Sequence, residues 1–159
     1  MPLTFLRNLG IVSSAGITTT KLGTGAVLQV VNVNYSTDTS TTSTSYVDTG
    51  LTATITPSSA SNKILIIVSQ AFGKSSTNSY VDINLLRAGT SIVSEWVNNL
   101  AFTNSTDSAS YGHSLTYLDS PNTTSATIYK TQFLSPTAET VQVQINSSVS
   151  SITLMEIKA

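Results

Sequence analysis

The side chains that could do chemistry in this chain are few and far apart. His113 is the only histidine, cysteine is absent, and the acids are Asp38, Asp48, Asp82, Asp107, Asp119, Glu95, Glu139 and Glu156. A Ser–His–Asp site needs one base held between a nucleophile and an orienting acid. Serine is so common here that one near His113 carries no information. Alternation sets His113 on a strand face with Tyr111, Leu115 and Tyr117, so it reads as a surface or interface histidine rather than a base. A glycosidase needs two carboxylates at a fixed separation across the sugar. Asp82 and Glu95 fall on adjacent strands of one expected hairpin and could pair across it, but charges at exposed strand positions also keep a sheet soluble. HExxH, EF-hand and cysteine or histidine clusters are missing, and Gly23-Thr24-Gly25 alone makes no phosphate loop. No catalytic, cofactor-binding or metal-binding residue is assigned, and no cofactor is expected. Trp96, Tyr80, Tyr111 and Tyr117 could stack on sugars; packing in the core or in a subunit interface is the reading taken.

Strands must hold these residues. The most apolar stretch, Ile64-Leu65-Ile66-Ile67-Val68, contains four β-branched residues and lies between turn-forming segments. Successive strand residues face opposite ways, so an unbroken apolar run predicts a central strand covered on both faces. Shorter alternating segments surround it. Val27, Val31, Val33 and Tyr35 share one face, with Gln29 the exception. Segment 36–45 is almost all Ser and Thr and reads as an exposed loop or edge strand. Thr49-Gly50 is a turn signal before Leu51-Thr52-Ala53-Thr54-Ile55, and Ala88-Gly89 is a hairpin turn. Asp119-Ser120-Pro121-Asn122 suits another tight turn. Val141, Val143 and Ile145 alternate with Gln142, Gln144 and Asn146. Eight to ten short strands at hairpin spacing, with no helix signal, predict an all-β antiparallel sandwich or barrel.

Composition narrows the class. Charged residues are 9% of the chain, far below the usual share of about 25%, while serine and threonine supply a third of it. Hydroxyls outside and aliphatics inside fit a β-protein with a neutral, hydrated exterior. A net charge of −1 gives no reason to expect nucleic acid or an anionic membrane as partner. No apolar stretch approaches the ~20 residues of a membrane span, and Arg7 interrupts what would be the apolar part of a secretion signal. The Asn-x-Ser/Thr matches at Asn34, Asn104, Asn122 and Asn146 are what chance yields at this composition.

Two units are expected: an irregular N-terminal arm over 1–25 and a β-domain over 26–159. Leu3, Phe5, Leu6, Leu9, Ile11 and Val12 make the arm apolar, and glycines separate it from the strands. It reads as an attachment element packing on a neighbour or on something larger.

Several stretches carry a family resemblance. Gly25-Ala26-Val27-Leu28-Gln29-Val30-Val31, and the segment from Tyr46-Val47-Asp48-Thr49-Gly50-Leu51 to Lys63-Ile64-Leu65, resemble small Ser/Thr-rich virion proteins of tailed bacteriophages. Leu85-Leu86-Arg87-Ala88-Gly89-Thr90 and Ser151-Ile152-Thr153-Leu154-Met155-Glu156-Ile157 resemble a hairpin and the last strand of C1q/TNF-type heads. The resemblance implies a jelly-roll β-sandwich, a homotrimer and a non-enzymatic structural role on the virion surface. Its partners would be itself and a major capsid or other virion protein, and Tyr80, Trp96, Tyr111 and Tyr117 are possible trimer-interface residues. The short segment before the domain favours a capsid decoration (cement) protein or short head fibre over a long tail fibre. The alternative is a receptor-binding fibre tip that reads host glycan or protein through loops such as 101–110.

Overall fold

The computed structural model describes residues 21–74, 79–100 and 109–159, with 95–100 and 109 described as backbone alone. Ten strands form among the described residues, and their pairing defines the fold. They are β1 (Val27–Tyr35), β2 (Thr39–Thr41), β3 (Val47–Ile55), β4 (Lys63–Lys74), β5 (Val81–Arg87), β6 (Thr90–Leu100), β7 (Ala109–Asp119), β8 (Thr127–Leu134), β9 (Val141–Val143) and β10 (Ser150–Ile157). Setting aside the short β2 and β9, the first long strand pairs with the last, the second with the second-last, and so inward. These pairs are β1 with β10, β3 with β8, β4 with β7 and β5 with β6, all antiparallel. A long hairpin wound in this way is a jelly roll. Sheet A runs β1-β10-β4, with β7 beyond β4, and sheet B runs β3-β8-β5-β6. The expected all-β jelly-roll sandwich is what the chain forms.

Alternation builds the core. Leu51, Ala53 and Ile55 of β3, Ile64, Ile66 and Val68 of β4, Tyr129 of β8, and Ile152 and Leu154 of β10 are buried together. A second cluster holds Phe72, Val81, Ile83, Phe133, Val141 and Val143. Hydroxyls serve the loops: Thr41 Oγ1, Ser43 Oγ, Ser59 Oγ and Thr123 Oγ1 each accept from the backbone N–H two residues on, at 3.0–3.3 Å. Such turns let serine and threonine satisfy backbone that no ladder reaches.

Four expectations need correction. β4 is central in sheet A, but its apolar run is fully buried only on the inward face; Leu65 and Ile67 point outward and are half-buried. Thr49-Gly50 is not a turn but a bulge inside β3. The register passes from Asp48↔Gln132 to Thr52↔Lys130, setting three residues against one. Gly50 has φ +86°, and a Cβ there would lie 2.3 Å from the Tyr35 ring, so glycine serves both conformation and close approach. The alternation through Ile145 does not continue the strand: β9 ends at Val143, and Gln144, Asn146 and Ser147 take positive φ. Finally, β5 pairs with β6 through Ile83↔Val97 and Leu85↔Val93, which sets Asn84, not Asp82, across from the stretch holding Glu95. The Ala88-Gly89 turn does form, with φ 48° and 84°, the two positive values that a two-residue hairpin favours. Segment 36–45 contains the short edge strand β2, paired to β9.

Candidate functional site

Among the described residues, titratable and polar groups gather in four places, each held by ladder geometry. The largest is a neutral layer between the two apolar clusters. Thr49, Gln70, Thr131, Gln144 and Ser150 are all fully buried. Thr49 Oγ1 and Thr131 Oγ1 lie 2.6 Å apart, and Thr131 Oγ1 donates to Gln70 Oε1 at 3.0 Å. Gln70 Nε2 and Gln144 Nε2 both donate to Ser150 Oγ, at 2.9 and 3.1 Å. This chain of bonds crosses from sheet B to sheet A. It holds no acid or base, so it positions strands rather than protons.

The second place is a buried carboxylate at one end of sheet A. Glu156 is 1% exposed and accepts four hydrogen bonds. Ser58 N and Ser58 Oγ reach Oε1 at 2.7 Å, Asn62 Nδ2 reaches it at 2.6 Å, and Gln29 Nε2 reaches Oε2 at 2.6 Å. Burial pushes the carboxyl up, but the bonds from Asn62, Gln29 and Ser58 outweigh it and hold Glu156 below the ordinary carboxylate range. Gln29, the exception on the β1 face, is thus explained. Beside it a cleft of about 340 Å³ is lined by Leu28, Ser58, Ser59, Ser61, Asn62 and the chain end. The chain enters here: Gly25 N donates to Lys158 O at 2.8 Å and Lys158 Nζ donates to Leu22 O.

The third place ties the sheets together. Arg87 Nη1 of β5 donates to Asp119 Oδ1 and Oδ2 of β7 at 2.7 and 3.0 Å, and Tyr129 OH of β8 donates to Asp119 Oδ2 at 2.7 Å. Burial, with the Asp119 carboxylate beside it, raises the Tyr129 phenol well above its ordinary value. The fourth lies on the outer face of sheet B, where Asp48 accepts from Lys130 Nζ at 2.8 and 2.9 Å and from Gln132 Nε2 at 2.7 Å. Those bonds, led by Lys130, keep Asp48 below its usual range. A shallow cleft of about 130 Å³ adjoins this pair at the Gly50 bulge. Each acid in these clusters is consumed by structural partners.

The singled-out residues that the structure describes fall on both sheets. Tyr111 of β7 stacks on Phe72 with ring centroids 5.8 Å apart, and Tyr117 packs against the first core cluster. Both belong to sheet A and point inward with His113, which lies across from Gln70. Tyr80 is half-buried just before β5, and Trp96 is on β6 of sheet B with its side chain outside the described residues. The arm residues Leu3, Phe5, Leu6, Leu9, Ile11 and Val12, and most of the loop 101–110, also lie outside the described residues. The polar layer and Glu156 were missed. Their signal is parity: Gln70 falls in step with Ile66, Val68 and Phe72, and Glu156 with Ile152 and Leu154.

No family model matches the chain, and no curated protein matches it. Solved structures that match include the VP2 subviral particle of infectious bursal disease virus, with 10% identity and a TM-score of 0.47. The match covers 81% of this chain but only 38% of that one.

Proposed function

We propose that the protein is a non-enzymatic structural component of a virion, a homotrimeric capsid decoration protein or short head fibre attached by its N-terminal arm. One observation carries the reading: a jelly roll whose charged groups, where clustered, are spent on internal bonds, with a described surface rich in hydroxyls and amides and poor in charge. Such a surface is suited to holding shape and staying hydrated, and among the described residues its charged clusters serve structure rather than chemistry. The family resemblance of the β1, β3–β4, β5–β6 and β10 segments points the same way. Apolar arm side chains removed from water would contribute roughly 25 cal/mol per Å², so a few per copy, multiplied over three copies, suffice for stable attachment.

The test is binding of purified chain to virion particles stripped of it. The full chain is expected to sediment with the particles. The same chain carrying Leu6→Asp and Leu9→Asp is expected to remain in the supernatant with an unchanged circular dichroism spectrum. Equal binding of both would overturn the arm as attachment element, and cryo-EM of the intact particle with no density for the chain on its exterior would overturn the virion role.

A further inference from the structure

The run Ile64-Leu65-Ile66-Ile67-Val68 is apolar on both faces, yet the sandwich covers only one. Ile64, Ile66 and Val68 are fully buried, whereas Leu65 and Ile67 look out from the centre of sheet A. The register shows that they do not stand alone. Val30 of β1 lies across from Met155 of β10, Met155 from Leu65 of β4, and Leu65 from Leu118 of β7. One unbroken apolar row therefore crosses all four strands, from edge to edge. Its two ends are the most open: Val30 is 55% and Leu118 49% exposed. The row behind it is Asn32, Thr153, Ile67 and Thr116, and the next is asparagine and serine alone.

Among the described residues, no further strand pairs with the outer side of β1 or β7. β1 carries no charge and no proline, and β7 carries only His113 and, at its very end, Asp119. Exposed edges are ordinarily blunted by lysine, proline or inward charges, because an open edge invites another chain. The other sheet differs: its outer face carries the Asp48–Lys130 pair and Gln132.

We infer that the outer face of sheet A, centred on Val30, Leu65, Met155 and Leu118, is the surface on which a second copy of this chain packs. The inference rests on the self-association in the proposed function and names the residues that carry it. The paired rows of β1, β10, β4 and β7 cover roughly 19 by 24 Å, about 450 Å² in plan, over half of the ~800 Å² a side that stable interfaces bury. The uncharged strand β1 and the nearly uncharged β7 border it. Lys63 is the one charged side chain among the outward positions of these four strands, so a neighbouring copy meets this face with almost no charge to desolvate.

Sedimentation equilibrium on the full chain tests this. The wild type is expected to self-associate, and Val30→Asp with Leu118→Asp to weaken association by at least about 100-fold while leaving the circular dichroism spectrum unchanged. Ile128→Asp, at a 49%-exposed position on sheet B, is the control and is expected to change nothing. If the double variant does not fold, Val30→Lys alone, at an open edge position, carries the test. Oligomers that survive a folded Val30 variant overturn the assignment of the face while leaving self-association standing. A monomeric wild type at tens of micromolar overturns both.

Discussion

Replacing Glu156 by glutamine should destabilise the protein at neutral pH and do so progressively less as the pH falls. The carboxylate is 1% exposed and has no cation beside it in its bonds; four N–H and O–H donors at 2.6–2.7 Å hold it instead. In the glutamine variant one oxygen keeps the Ser58 and Asn62 donors without charge assistance. The new amide group then confronts the Gln29 amide, which must turn over and give up its bond to Thr56 O at 2.7 Å. Charge-assisted bonds contribute about 1.5–3 kcal/mol each and neutral ones about 1, while relief of carboxylate desolvation offsets part of the loss. The net expected is about 1–2 kcal/mol at pH 7. The sign with pH follows from the lowered pKa. The stability that ionised Glu156 contributes is present above its ordinary value of 4.5 and is lost as the pH falls through the lower folded value. Asp48, also lowered, contributes the same acid slope to both proteins and cancels in the difference. Urea unfolding of wild type and variant at pH 7, 5 and 3 reads the difference directly. A gap that stays constant with pH, or a variant as stable as wild type at pH 7, would refute the account of how this carboxylate is held.

Gly50→Ala should cost at least about 2 kcal/mol, since it combines a positive φ with a Cβ driven into the Tyr35 ring. Removing the ring with Tyr35→Ala should recover part of that loss in a double-mutant cycle by thermal unfolding, and strict additivity would show that the ring is not the obstacle. Thr131→Val leaves Gln70 Oε1 without its donor in a fully buried layer and should cost about 1–3 kcal/mol, whereas Thr131→Ser keeps the hydroxyl and should cost less than half as much. Equal losses for valine and serine in denaturant unfolding would assign the cost to packing instead.

Much of the fold was legible because strand alternation and turn residues agree along the chain. Ile55, Ile66, Tyr129 and Leu154 face inward as their parity requires, and Ala88-Gly89 turns where it should. Gly50 misled because a positive φ suits a turn and a bulge alike, and only the count of residues opposite β8 separates them. The run at Ile64 to Val68 misled differently: two apolar faces require cover, but sequence cannot say whether the cover comes from the same chain. Asp82 and Glu95 are not set across from each other in the ladder because register shifts along β5 and β6 move the partners past each other, and shifts of that kind leave no mark in composition. Glu156 and Gln70 were invisible as a site because a polar residue on an alternating strand is ordinarily assigned to the wet face.

The buried polar layer becomes intelligible when it is set beside the irregularities of the backbone. The bulge in β3, the gap on β4 between its pairing with β10 and with β9, and the break from β9 to β10 all fall at the level that separates the two apolar clusters. Each interruption frees backbone groups from the ladders, and buried backbone groups must be paired. The polar side chains meet them there. Leu51 N donates to Thr49 Oγ1 at 3.1 Å, Ala71 N donates to Ser150 Oγ at 3.0 Å, and Thr49 Oγ1 donates to Thr131 O at 3.1 Å. Hydrogen bonds between those side chains then close the network across the sandwich. A one-residue slip of any of these strands would turn its polar member to solvent and strand the backbone groups it serves. The layer therefore fixes register where the ladders cannot, and it takes from the core a little apolar burial in exchange for a single arrangement of the strands.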